Sequence, residues 1–142
     1  MNIYLKRIKG SSFAAKGDSN HWVNLDTLEE AGGNNAASTP MELILMALAG
    51  CGSMDILPIL KKKRVEIDGF EVNVSAERST EHPKVFTKIN IEYVFYGNNI
   101  PPADVERAIE LSYTKYCSVY AMLKNSVEIN KNYKILEPNF SS

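Results

Sequence analysis

The chain has 142 residues, 44% of them hydrophobic, and a formal net charge of −1 from 16 Lys and Arg against 17 Asp and Glu. That length fits a single domain, residues 1–142, with one buried core. The near-neutral balance excludes the electrostatic footprint of a nucleic-acid or anionic-membrane binder. The start MNIYLKRIKG lacks the apolar region of a signal peptide, and the longest apolar run, Leu43 to Gly52, is too short to span a bilayer. A cytoplasmic protein is therefore expected, one in which the Asn139, Phe140, Ser141 sequon has no route to glycosylation and two cysteines form no disulfide framework.

In chain order, the apolar patches at Ile3 and Leu5, around Phe13 and around Trp22 are broken by KGSS and KGDSN, the pattern of two or three short strands joined by turns. EEAGGNNAAS reads as a loop. A helix should start sharply after it, with Thr39 as N-cap, Pro40 at the first helical position and Glu42 closing a capping box. It is expected to reach about Lys63, where KKKR sets positive charge against the negative end of the helix dipole, and Gly50, Gly52 and Pro58 are expected to bend or divide it.

Phe70, Val72, Val74 and Ala76 alternate with polar residues, as do Ile89, Ile91, Tyr93 and Phe95, so two strands with one buried face each should form an antiparallel hairpin across STEHPK. After the turn NNIPPAD, the residues Val105, Ala108, Ile109, Ser112, Tyr116, Tyr120 and Leu123 recur at helical spacing, which predicts one second helix. A last strand should run from about Val127 to Leu136. The order indicates an α+β fold with an antiparallel sheet.

The chemistry-bearing residues are few. There is no Cys-x-x-Cys, and His21 and His82 stand alone, so no zinc-site spacing is present. AGGNN lacks the Gly-Lys-Ser/Thr of a phosphate loop, and no Gly-x-Ser-x-Gly elbow occurs; no cofactor motif is found. Cys51, between Gly50 and Gly52, and Cys117 each lie in an apolar helical stretch, where a free cysteine serves either as a small packing residue or as a redox thiol. The redox alternative needs one sulfur to be oxidised by peroxide to a sulfenic acid and a second close enough to condense with it.

Three blocks, STPMELILMALAGCGSMDILPILKKKR, SAERSTEHPKVFTKINIEYVFYG and AIELSYTKYCSVYAML, resemble in order and spacing the OsmC/Ohr family of osmotically induced and organic hydroperoxide resistance proteins, and its OsmC-like redox branch in particular. The resemblance covers about Ile3 to Leu136. It implies antiparallel sheets packed around two central helices in an intertwined homodimer, with active sites at the dimer interface. It also implies a thiol peroxidase acting on organic hydroperoxides and restored by an external thiol reductant, in which Cys51 attacks and Cys117 resolves.

The family's peroxidases place a Glu ten positions before the attacking Cys, where this chain has Met41, and an Arg from the N-terminal region, where it has none between Ile8 and Arg64. Glu42 is one position late, about 180° from Cys51 around a straight helix, and belongs first to the capping box; His21 and Lys16 lie in the segment matching the Arg. Glu42 and His21 remain candidate catalytic residues beside Cys51 and Cys117. Asp55, four residues after Cys51, shares its helix face and opposes thiolate formation unless a cation such as Arg78 or Arg107 neutralises it. A non-catalytic binding protein with an apolar pocket, or a structural dimer with inert buried thiols, are the alternative readings.

Overall fold

A computed structural model describes residues 1–138, so the Asn139, Phe140, Ser141 sequon lies outside the described residues. The chain forms two compact units, Met1–Met46 and Ala47 onward, whose boundary falls within the first long helix.

The N-terminal unit is a three-stranded antiparallel meander, β1 (Ile3–Lys9), β2 (Ser12–Gly17) and β3 (Trp22–Leu25). The loop after it is organised by one carboxylate. Buried Asp26 accepts hydrogen bonds from the backbone N–H groups of Thr27 (2.8 Å), Asn34 and Ala36 and from the Ser12 hydroxyl (2.8 Å). Burial opposes its ionisation, but these four donors outweigh burial and hold its pKa below the usual aspartate value.

The helix α1 (Pro40–Lys62) begins where the capping signal places it. The Glu42 carboxylate accepts from the Thr39 N–H at 2.7 Å and from its hydroxyl at 3.0 Å, while the Glu42 N–H donates back to the Thr39 oxygen at 3.3 Å. Of the two outcomes expected at Gly50, Gly52 and Pro58, bending or division, division does not occur: α1 runs through all three. Leu48, Gly52, Ile56 and Leu60, one helical turn apart in succession, form its buried stripe, and that stripe carries the helix through the glycine position. By length and composition α1 is apolar enough to cross a membrane, a test that core helices also pass.

In the C-terminal unit, β4 (Gly69–Arg78) and β5 (Phe86–Tyr96) form the expected antiparallel hairpin. Ile89, Ile91, Tyr93 and Phe95 of β5 are buried, as alternation requires, and Val94 joins them, so the centre of this strand is covered on both faces. The last strand, β6 (Glu128–Leu136), corrects the expectation of a wholly antiparallel sheet: it pairs parallel to β5, giving the order β4-β5-β6. The reason is the connection. The chain returns through helices rather than a tight turn, and a crossover of more than about a dozen residues lets the strand come back in the same direction.

The second helix is also not continuous. α2 (Pro102–Leu111) runs into a single π-helical turn, Ser112–Tyr116, breaks at Cys117 and restarts as α3 (Ser118–Leu123). The Cys117 N–H reaches back five residues to the Ser112 carbonyl at 2.7 Å, and Cys117 itself has extended backbone angles. Cys117 is therefore the N-cap of α3 rather than a mid-helix residue.

Candidate thiol site

On α1 the stripe next to the buried one carries Cys51 and Asp55, one turn apart on the same face. The break before α3 brings Cys117 to them. Both Sγ atoms and a carboxylate oxygen of Asp55 lie within 4.8 Å of one another. Cys51 is half-buried, Cys117 is 2% exposed, and both are free thiols.

The two sulfurs have opposite electrostatic surroundings. Burial works against ionisation of Cys51, but the Val119 N–H, the Cys117 thiol and the Ser118 hydroxyl donate toward its sulfur and, against a further opposing contribution from the Asp55 charge, bring its pKa below that of an ordinary thiol. Burial pushes the Cys117 thiol up to about 11, and the neighbouring Cys51 and Asp55 add to that, although the Tyr120 N–H donates to its sulfur at 3.4 Å. The pair is thus asymmetric, with a sulfur prone to become thiolate beside one that keeps its proton.

Asp55 is held by Ser112, whose fully buried hydroxyl donates to Oδ2 at 3.1 Å. Neither arginine named in the sequence reading neutralises it. Arg107 pairs with Glu110 at 2.7 Å, and Arg78 donates to the Lys84 carbonyl at 2.8 Å. Under the site, the hydroxyls of Tyr93 and Tyr113 share a hydrogen bond of 2.6 Å. Burial raises the Tyr93 pKa to about 12 and that of Tyr113 further, so both remain neutral. Lys131 lies 4.4 Å from the ring centroid of Tyr113 and 5.0 Å from that of Tyr120. Gly52 is required beneath this pair, because a Cβ there would stand 2.5 Å from the Tyr93 hydroxyl, whereas nothing lies within 4 Å of one at Gly50. Of the two glycines flanking the sulfur, only Gly50 faces open space.

The remaining candidates belong to the N-terminal unit. Glu42 is engaged with Thr39 in the capping box. His21 lines an open depression of about 550 Å³ together with Ile3, Ala15, Val23, Leu25 and Leu43. The functional features that sequence reasoning missed are Ser112, which reads as a helical-face residue, and the tyrosine pair. The i, i+4 relation of Cys51 and Asp55 and the family resemblance that paired Cys51 with Cys117 signalled the rest of this cluster; nothing in the sequence pointed to Ser112 or the tyrosines. Its donor set, two sulfurs and a carboxylate, is one that could also hold a metal ion.

The comparisons agree with this architecture. The family model for OsmC-like protein matches residues 32–132. The chain is similar to protein YhfA of Escherichia coli K12, 35% identical over 136 residues, which is 96% of this chain and 98% of that one. Its structure is similar to that of a hypothetical protein from Aquifex aeolicus VF5, with a TM-score of 0.85, 29% identity and 97% of each chain covered. It is also similar in fold to an organic hydroperoxide resistance protein, OsmC, from Legionella pneumophila, with a TM-score of 0.69, 15% identity, and 94% of this chain and 97% of that one covered.

Proposed function

Because this chain belongs to the OsmC-like protein family, we propose that it is a thiol-dependent peroxidase that reduces organic hydroperoxides, with Cys51 as the attacking and Cys117 as the resolving sulfur. The observation that carries this reading is the meeting of two free sulfurs within 4.8 Å from separate elements, one of them half-buried. A disulfide needs an S–S distance of about 2.05 Å. The closing movement falls on Cys117, at a break between two helical segments, where the backbone is not locked into a continuous ladder.

The cycle balances as follows. The Cys51 thiol ionises, its thiolate attacks the peroxide and the O–O bond breaks. The leaving alkoxide takes up the proton that Cys51 released and departs as the alcohol, and Cys51 becomes a sulfenic acid. The Cys117 sulfur then attacks the Cys51 sulfur and expels water, leaving a disulfide. An external dithiol reductant supplies two electrons and two protons to restore both thiols in a reducing, cytoplasmic compartment.

The working form in this reading is a homodimer. Its support is the apolar surface on single-chain elements, including Met46 at 53%, Met54 at 79% and Met122 at 80% exposure, beyond what isolated surface residues need. Sedimentation at micromolar concentration should give a dimer burying more than a standard interface of about 1,600 Å²; a monomer would rule this out.

The chemical test is mass spectrometry after one pulse of alkyl hydroperoxide. Cys51→Ser should abolish peroxide consumption. Cys117→Ser should still permit one oxidation per chain, stopping at a sulfenic acid on Cys51 that proceeds to sulfinic acid under excess peroxide. A sulfenic adduct on Cys117 in the Cys51→Ser protein, formed as fast as oxidation of the wild type, would reverse the assignment. No oxidation of either sulfur would leave a non-catalytic protein with inert thiols.

A further inference from the structure

Asp55 takes no part in the cycle written above, yet its charge opposes ionisation of both thiols. It is adjacent to both sulfurs, is held toward them by the fully buried Ser112 hydroxyl, and has no ion-pair partner among the described residues. A protein that needed only a disulfide-forming pair would gain nothing from that carboxylate. Two sulfurs and a carboxylate converging from two elements are, however, the donor set of a cation site with one position left open.

The geometry fits a tetrahedral ion. Two sulfurs at about 2.3 Å from a common centre are about 3.8 Å apart, and a carboxylate oxygen at about 2.1 Å sits about 3.6 Å from each of them. Because all three pairs lie within 4.8 Å, closing onto the ion asks for no more than about 1 Å per pair. Cys51 and Asp55 offer adjacent ligands from one helical face, and Cys117 supplies the third from the N-cap of α3. Ser112 donates to Oδ2 of Asp55, the arrangement in which an outer hydroxyl orients a ligating carboxylate. Soft sulfur donors select a thiophilic cation over Mg²⁺ or Ca²⁺.

We infer that Cys51, Asp55 and Cys117 bind one thiophilic divalent cation of the Zn²⁺ class in the reduced protein, and that formation of the Cys51–Cys117 disulfide releases it. The binding step stands on the cluster alone; the release step rests on the peroxidase reading above. Each sulfur can hold the ion or its partner sulfur, but not both. Loading therefore shields the thiols from peroxide, and oxidation empties the site. The electrons for release come from the two thiolates and go to the hydroperoxide, as in the cycle already written.

The test uses the reduced full-length chain and Cd²⁺ alone, read by thiolate-to-cadmium charge-transfer absorption, with Zn²⁺ as competitor. The expected result is one Cd²⁺ per chain, displaced by Zn²⁺, with no band after oxidation to the disulfide by diamide. Ser112→Ala, a small change in a buried site, should weaken binding about 10- to 100-fold, and Asp55→Asn, which keeps both sulfurs, at least as much. No charge-transfer band in the wild type, unweakened binding in both variants, or an undiminished band in the disulfide form would overturn the assignment. Peroxide consumption by the metal-free protein is measured separately. Cadmium binding by a protein inert to peroxide overturns the peroxidase reading and the release step while leaving the ion site standing.

Discussion

Gly52→Ala isolates the packing that holds the thiol site. A Cβ at Gly52 would lie 2.5 Å from the Tyr93 hydroxyl and 3.6 Å from that of Tyr113, so it cannot be accommodated without moving the buried tyrosine pair. Overpacking of this kind costs about 1–3 kcal/mol. Displacing the Tyr93 hydroxyl also leaves a buried hydrogen bond unmade, at a further cost of about 1–3 kcal/mol. The gain in helix propensity from Gly to Ala returns about 1 kcal/mol. The net loss is therefore about 1–5 kcal/mol, a large share of a typical stability of about 5–15 kcal/mol. Gly50→Ala has nothing within 4 Å of its new methyl and should stabilise by up to about 1 kcal/mol. Urea unfolding of the reduced proteins measures both. Adding Tyr93→Phe to Gly52→Ala removes the atom that is struck, so the double variant should be more stable than the sum of the single effects by at least about 1 kcal/mol. A Gly52→Ala protein within about 0.5 kcal/mol of wild type, or strictly additive effects, would refute the reasoning.

Limiting alkylation of the native reduced protein should label Cys51 before Cys117, since the former is half-buried with donors facing its sulfur and the latter is 2% exposed; peptide mapping checks the order, and equal labelling would contradict it. Thr39→Ala should cost about 1 kcal/mol of stability in urea unfolding through loss of the cap. Glu42→Gln, which can still close the box, should leave peroxide turnover unchanged, and a large loss of turnover would make Glu42 catalytic. The Asp26 pKa is depressed in the folded chain, so its contribution to stability is present above the unfolded aspartate pKa of about 3.9 and is lost as pH falls through the lower folded value. Asp26→Asn should therefore lower stability at neutral pH and flatten the acid limb of a stability–pH curve; an unchanged acid limb would count against the four-donor account.

What the sequence determined by itself is what local chemistry can enforce. Thr39, Pro40 and Glu42 set the start of α1 because a capping box closes within three residues, whatever else the chain does. The alternation through Phe70–Ala76 and Ile89–Phe95 determined the β4–β5 hairpin because a period of two is the side-chain period of a strand. The three blocks resembling the OsmC/Ohr family likewise placed the chain in its family, since motif order survives in the linear chain.

Tertiary structure decided the rest. The direction of β6 depends on the path of a long connection, which leaves no mark on the strand's own residues. The break at Cys117 was hidden because Ser112, Tyr116 and Tyr120 keep helical spacing, while one five-residue backward hydrogen bond shifts the phase and turns the cysteine into a cap. Asp26 reads as an ordinary loop carboxylate until the chain folds four donors around it. The spacing of Cys51 and Asp55 announced a shared helix face, but not the arrival of Cys117 or the Ser112 hydroxyl. Those two come from residues far along the chain, and only packing can bring them to within hydrogen-bonding and ligand distance.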